Sequence, residues 1–139
     1  MTLFACQHDG KPVPQGRARV TRWGTFYPES SVVHREALAW SFREVHEGPP
    51  LPPPLAVSIG IAGARANSDL DNHAKMVLDA LQDAGVIASD DVRSVVSLRL
   101  EVLPGEPRTF VSISHAKGVE ATWATPTPVE ALRSDYSAP

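Results

Sequence analysis

A short acidic segment, Ser68-Asp69-Leu70-Asp71-Asn72, contains the residues best suited to chemistry, and Lys75 and the pair Asp90-Asp91 follow it. In an extended chain, residues i and i+2 point to the same side, with Cα atoms roughly 6.5 Å apart. Two carboxylates that close repel each other unless a cation lies between them. Mg²⁺ or Mn²⁺ fits, because hard cations take oxygen ligands and Mg²⁺ prefers one or two carboxylates with water and substrate phosphate. Three or four carboxylates and a lysine, if brought together, form a site that can cut a phosphodiester.

The same residues also allow a purely structural interpretation. Asp69 or Asp71 could cap the helix that follows. Lys75 lies four residues from Asp71 and from Asp79. It could therefore belong to a solvent-exposed series of ion pairs worth about 0.3–0.5 kcal/mol each, or it could reach the scissile phosphate. Adjacent residues near a strand point in opposite directions, so only one residue of Asp90-Asp91 is expected to enter the site, and a solvated turn is the alternative for either.

The histidines suggest no site of their own. The five are scattered without the spacing of a zinc site, and neither a glycine-rich phosphate loop nor a nucleophile elbow is present. His73, which follows Asp71 in the first helical turn, is the only one placed to touch the acidic segment. We expect it to lie on the surface.

Hydrophobic periodicity predicts the elements that must position the acidic segment. Residues 72–84 form the clearest helix, which Gly85 should end, and a second helix runs from a cap at Ser30 or Ser31 to about residue 46. Strands are predicted at residues 2–8, 17–21, 55–61, 92–103 and 108–114, the last two joined by a hairpin-like turn at residues 104–107. We therefore predict an α+β fold, with a mixed β-sheet and two main helices in a single small domain over residues 1–116. Residues 117–139 are predicted to be a C-terminal tail or arm.

The charge distribution favours a nucleic-acid partner despite a net charge of −3. Residues 11–16 contain two prolines and a glycine, which exclude a helix and favour an extended arm. Residues 69–91 contain six acidic residues and one basic residue. Residues 11–28, in contrast, contain four basic residues and no acidic one: Lys11, Arg17, Arg19 and Arg22. A basic arm beside an acidic pocket is what a metal-dependent nuclease needs.

The remaining composition indicates an ordinary globular protein of a reducing compartment. The single cysteine, Cys6, excludes an intrachain disulfide. No apolar run approaches the roughly 18 residues that span a bilayer, and the N-terminus has no signal-peptide pattern. We therefore expect a cytoplasmic protein without a membrane partner.

Three segments together resemble the RusA family of Holliday-junction resolvases, the crossover junction endodeoxyribonucleases. The stretch from Gly10 to Val20 is similar to the family's N-terminal Gly-x-Pro-x-Pro-x-x-Arg-x-Arg segment. The stretch from Asp69 to Leu81 resembles its central motif, and Asp90-Asp91 followed by Val95 resembles its third acidic element. At His73 the chain departs from the family, in which an apolar or neutral polar residue is common.

The resemblance implies a small homodimeric protein that binds four-way DNA junctions and nicks two opposing strands with Mg²⁺, for which Mn²⁺ could substitute. Carried onto this chain, it makes Asp69, Asp71 and Asp91 the metal-binding acidic residues and Lys75 the catalytic lysine. Asp91 is preferred to Asp90 because the family's essential aspartate is the second of the pair. The basic residues Lys11, Arg17, Arg19 and Arg22 would then grip backbone phosphates.

Two other functions remain open at this stage. The first is a relative that binds branched DNA without cutting it, which would keep the basic arm and need no acidic cluster. The second is an Asp-x-Asp metal site of a nucleotide-sugar transferase. A chain of 139 residues without a nucleotide-binding βαβ pattern leaves little room for that activity.

Overall fold

The computed structural model describes residues 1–116, which form six strands and two helices. The predicted α+β fold, a single small domain with a mixed sheet and two helices, is confirmed. The tail predicted for residues 117–139 lies outside the described residues. In chain order the elements are β1 (Thr2–Asp9), β2 (Arg19–Thr21), β3 (Gly24–Phe26), α1 (Glu29–Val45), β4 (Leu55–Ala62), α2 (Leu70–Asp83), β5 (Val95–Val102) and β6 (Arg108–His115).

Four of the strands form the main sheet, in the order β1-β6-β4-β5. β6 is antiparallel to both of its neighbours, whereas β5 is parallel to β4. The hairpin-like turn predicted between β5 and β6 is therefore wrong, because β4 lies between these two strands. β4 is the strand buried most completely, and a central position gives its apolar residues cover on both edges. β2 and β3 form a separate two-stranded hairpin.

The core lies between one face of the sheet and the two helices. Alternate residues of β4, from Leu55 to Ile61, are at most 2% exposed, as the two-residue period of a strand requires. Phe42 of α1 is fully buried and meets Phe4 of β1 edge to face, with ring centroids 5.8 Å apart. Leu81 of α2 is also fully buried in this cluster. The sheet and both helices therefore share one core, from which the site residues project.

α1 begins at Glu29, two or three residues earlier than a cap at Ser30 or Ser31 would place it, and neither serine caps it. Pro28 occupies the capping position, and no side chain hydrogen-bonds the helix start. Ser31 is only 2% exposed and has another role. Its hydroxyl accepts a hydrogen bond from the Gly16 backbone N–H at 2.9 Å and donates to the Pro14 carbonyl at 3.2 Å. The serine therefore holds the proline-containing arm against α1.

Candidate active site

The basic arm is fixed beside the start of α2. The Gln15 backbone N–H donates to the Asn72 carbonyl at 3.0 Å, so the arm touches the residue that follows Asp71. A cleft of about 470 Å³ separates the arm from the loop before α2, and Lys11, Arg65 and Asn67 are among its lining residues. Arg65 adds a positive charge that the sequence patterns did not single out. The cleft thus joins basic side chains to the acidic segment.

Asp69 and Asp71 lie at the N-terminus of α2. Asp69 occupies the capping position in an extended conformation, but its carboxylate makes no capping hydrogen bond. α2 begins at Leu70, two residues earlier than predicted, so Asp71 is in the first helical turn. The expectation of an extended Asp-Leu-Asp segment is therefore wrong. Both carboxylates are exposed, and within residues 1–116 neither forms an ion pair.

A buried histidine holds the loop that leads into these carboxylates. His73 is 2% exposed, and its Nε2 lies 2.8 Å from the Ser68 hydroxyl oxygen. That hydroxyl also donates to the Arg65 carbonyl at 2.6 Å. Because the hydroxyl has one hydrogen, His73 Nε2 must be the donor toward Ser68. Burial lowers the pKa of His73, which favours this neutral ring.

The predicted surface position of His73 is therefore wrong. The signal was present in the helical spacing, since His73 precedes Met76 and Val77 by three and four residues and so shares their buried face. Histidine is polar, so its burial could not be expected without a hydrogen-bond partner. That partner is the hydroxyl of Ser68, a loop residue whose position the sequence pattern does not reveal.

Lys75 projects from α2 into solvent one turn after Asp71. Its side chain is 60% exposed, and its Nζ lies 4.0 Å from an Asp79 carboxylate oxygen. Asp79 also faces the Arg35 guanidinium of α1, at 3.7 Å. The series of ion pairs considered from the sequence is therefore incomplete on the Asp71 side, and the ammonium group remains accessible to a phosphate.

Asp91 is held in the loop before β5. Its carboxylate accepts hydrogen bonds from the backbone N–H groups of Arg93 and Ser94, at 3.0 and 3.1 Å. The Arg93 guanidinium also donates to it at 2.8 Å. These contacts, the Arg93 side chain foremost, lower the pKa of Asp91 to about 2. The carboxylate is therefore ionised at neutral pH and fixed in direction.

The loop with Asp91 lies at the Leu55 end of β4. β5 runs parallel to β4 and pairs Val95 with Leu55, and the Leu55 backbone N–H donates to the Ser94 carbonyl at 2.8 Å. Because Asp91 precedes β5 by only a few residues, it belongs to this end of the sheet.

Asp69 and Asp71 lie at the other end, because α2 begins after the Ala62 end of β4 and runs back along the sheet. Its 14 residues span about 21 Å. The helix ends at a left-handed Gly85, as predicted, and the Val86 carbonyl then accepts a hydrogen bond from the Leu51 N–H. Within one chain, Asp69 and Asp71 are therefore neighbours, and Asp91 lies roughly the length of α2 away.

The donors at the start of α2 suit a hard divalent cation. Two exposed carboxylates without a cationic partner in the described residues match the type and number of protein ligands that Mg²⁺ prefers. In the part of the chain that the structure describes, no three His, Cys, Asp or Glu side chains are grouped so that they could hold a metal ion. Residues 1–116 of the same chain therefore do not place a third protein ligand beside Asp69 and Asp71.

The predicted DNA-binding residues line the arm and the β2–β3 hairpin. Lys11 lies on the arm of residues 11–16, and Arg17 directly follows that arm. Arg19 lies on β2, and Arg22 lies at the hairpin turn. All four are exposed, as phosphate contacts require. Among residues 1–116, neither helix is long and apolar enough to cross a membrane.

Comparison with known protein families shows which family the chain belongs to. Residues 9–114 match the family described as Endodeoxyribonuclease RusA. No curated protein matches the chain. The matched range includes the arm, the start of α2 and the Asp91 loop, and it covers most of the chain. The chain therefore belongs to the RusA family of endodeoxyribonucleases.

Proposed function

We propose that this protein is a Mg²⁺-dependent, structure-selective endonuclease that resolves four-way DNA junctions by paired nicks, in recombination and repair of DNA in the cytoplasm. The observation that carries the proposal is the cleft with basic side chains that reaches Ser68, next to two carboxylates that form no ion pair within residues 1–116, in a chain of the RusA family. The cleft supplies charge for a phosphate backbone, and the carboxylates supply ligands for the cation.

The roles of the residues follow from their positions. Asp69 and Asp71 would hold the cation at the end of the cleft, and when bound the cation supplies an activated water and neutralises charge on the phosphate. Lys75, one helical turn further on, would contact the same phosphate and offset its developing charge. His73 is a positioning residue, because it fixes Ser68 and thereby the loop that carries Asp69.

Phosphate binding along the arm would orient the DNA. Lys11, Arg17, Arg19 and Arg22 are exposed in sequence order along the arm and the hairpin, so they could follow a single DNA backbone toward the cleft. Each phosphate contact releases counterions, so the affinity should fall steeply as salt is raised. A slope of log Kd against log salt near zero would contradict this role.

A homodimer would supply the missing third carboxylate. Asp91 is ionised and held rigidly, but it lies at the end of β4 opposite Asp69 and Asp71. A two-fold axis perpendicular to β4 reverses the ends of the sheet, so the partner subunit's Asp91 would approach the Asp69-Asp71 end of the first subunit. Two composite sites would then face the symmetric strands of a junction.

Mixing two inactive variants tests this arrangement. Asp71→Asn and Asp91→Asn are each expected to abolish nicking alone. After subunit exchange, half of the dimers are heterodimers with one complete site, so about a quarter of the wild-type nicking should return. If each site used residues of one chain only, both sites of every heterodimer would be damaged and no activity would return. That result, with exchange verified by a tagged subunit, would reject the shared site.

The function is tested with a synthetic four-way junction and a linear duplex of the same sequence. We expect Mg²⁺-dependent nicking of the junction, weak cutting of the duplex, and no product in excess EDTA. Junction binding without cleavage in both Mg²⁺ and Mn²⁺ would instead support a non-cleaving relative that binds branched DNA.

A further inference from the structure

The β2–β3 hairpin exposes large apolar side chains without covering any of the core. Every residue from 17 to 30 is exposed, and neither strand contributes to the core cluster. Val20 is 79% exposed and Trp23 at the turn is 77% exposed. Because these two side chains stay in water, they add little hydrophobic stabilisation to the folded state. Exposed apolar surfaces of this kind commonly mark a binding site.

The aromatic side chains of the hairpin are arranged beside arginines. The Arg22 guanidinium lies over the Trp23 ring, with its carbon 4.7 Å from the ring centroid. It covers one face of the indole by a cation–π contact. At 77% exposure, the ring keeps a large accessible surface for another planar group.

Another arginine and another aromatic residue share one face of the hairpin. Arg19 is paired with Phe26 across the two strands, so their side chains share a face. Together with Arg17 and Tyr27 they line a cavity of about 330 Å³. Phe26 and Tyr27 are 53% and 48% exposed. Guanidinium groups and aromatic rings therefore lie side by side on the hairpin.

We propose that the β2–β3 hairpin binds an unpaired nucleotide of branched DNA, whose base stacks on Trp23 while Arg17 and Arg19 hold the neighbouring phosphates. This inference deepens the proposed function, on which it rests for the identity of the DNA. Proteins bind single-stranded DNA without reading its sequence by combining cationic side chains that track the backbone with aromatic side chains on which the bases stack. A fully paired duplex keeps its bases stacked on each other, so the hairpin would favour the branch point, where bases can unstack.

Trp40 provides a matched control, because the chain has a second exposed pair of tryptophan and arginine. Trp40 lies on α1, is 65% exposed, and has the Arg43 guanidinium carbon 5.8 Å from its ring centroid. It shares the chemistry of Trp23 but lies outside the hairpin. If exposed indoles bound DNA non-specifically, substitution of either tryptophan would weaken DNA binding. If the hairpin is a specific site, only substitution of Trp23 would weaken it.

The test measures binding of oligo(dT) to the full chain by intrinsic fluorescence. The chain has three tryptophans, so the double substitution Trp40→Phe and Trp123→Phe leaves Trp23 as the only indole. We expect its emission to be quenched on binding. By fluorescence anisotropy of labelled oligo(dT), Trp23→Ala should weaken binding about 5- to 150-fold, the range that corresponds to stacking of one base. Trp23→Phe should restore most of the affinity, and Trp40→Ala should leave it unchanged.

The binding measurements test the nucleotide site on the hairpin independently of the nuclease activity. Equal oligo(dT) affinity in the wild type and in Trp23→Ala, absence of oligo(dT) binding by the wild type, or an equal loss in Trp40→Ala would each overturn the hairpin site. Those results would leave Mg²⁺-dependent nicking of the junction untouched. Conversely, a wild type that binds oligo(dT) through Trp23 but never nicks DNA would retain the hairpin site and reject the proposed function.

Discussion

Replacing Ser68 with alanine removes a hydroxyl that serves two groups, the His73 ring and the Arg65 carbonyl. The Arg65 residue is exposed, so water can replace the lost donor there at little cost. His73 is 2% exposed, and its Nε2–H would be left buried without an acceptor. Stranding such a donor costs about 1–3 kcal/mol. We therefore expect Ser68→Ala to lower the free energy of unfolding by that amount.

Urea unfolding of the full chain measures this loss, with Ser97→Ala as the matched control. The Ser97 hydroxyl makes no hydrogen bond within residues 1–116, so its removal should change the free energy of unfolding by less than about 0.5 kcal/mol. Under the proposed function, Ser68→Ala should also raise the Mg²⁺ concentration needed for half-maximal nicking, because the loop that carries Asp69 loses a fixed contact. A free energy of unfolding within 0.5 kcal/mol of wild type, together with an unchanged Mg²⁺ dependence, would refute the reasoning.

Three further predictions concern single side chains. Lys75→Ala should change the free energy of unfolding by less than about 0.5 kcal/mol, because its pair with Asp79 is long and exposed. Junction nicking should nevertheless fall by about 10²-fold, and unimpaired nicking would exclude the lysine from the site. Arg35→Ala should lower the free energy of unfolding in urea by about 1 kcal/mol, because it removes two hydrogen bonds to the Asp83 carboxylate between α1 and α2. An unchanged free energy of unfolding would show that this ion pair does not stabilise the fold. Burial, aided by neighbouring histidines, lowers the pKa of His34 to about 4. The unfolded chain then binds more protons below pH 6.5, so stability should fall between pH 6.5 and 4, by at most about 3 kcal/mol. His34→Gln should reduce that fall, and an identical pH profile would contradict this origin.

Much of the fold could be predicted because the relevant forces act locally in the sequence. The stripe of α2 and its stop at Gly85 follow from helical periodicity and from the left-handed conformation that glycine tolerates. The pairing of β6 with β4 could not be predicted in this way. Strand order depends on which strand the sheet must bury most deeply, and a short connection between β5 and β6 is compatible with either a hairpin or a crossover.

The site was predicted from the sequence only in part, for a similar reason. Residue types indicated the carboxylates and the basic arm, but not the contacts that fix them. Ser31 looked like a helix cap and instead holds the arm, and His73 looked like a surface residue and instead supports Ser68. The position of Asp91 relative to Asp69 depends on the direction in which α2 runs along the sheet. Sequence spacing does not contain that direction.

The most direct test of the central claim is the nicking of a four-way junction by Asp71→Asn beside Asp90→Asn. Both substitutions remove one negative charge from an exposed aspartate, but only Asp71 is proposed to hold the cation. Denaturing gels of end-labelled junction strands, run with and without Mg²⁺, report paired nicks strand by strand. We predict Mg²⁺-dependent nicks at symmetric positions for the wild type and for Asp90→Asn, and none for Asp71→Asn. Undiminished nicking by Asp71→Asn would contradict the account.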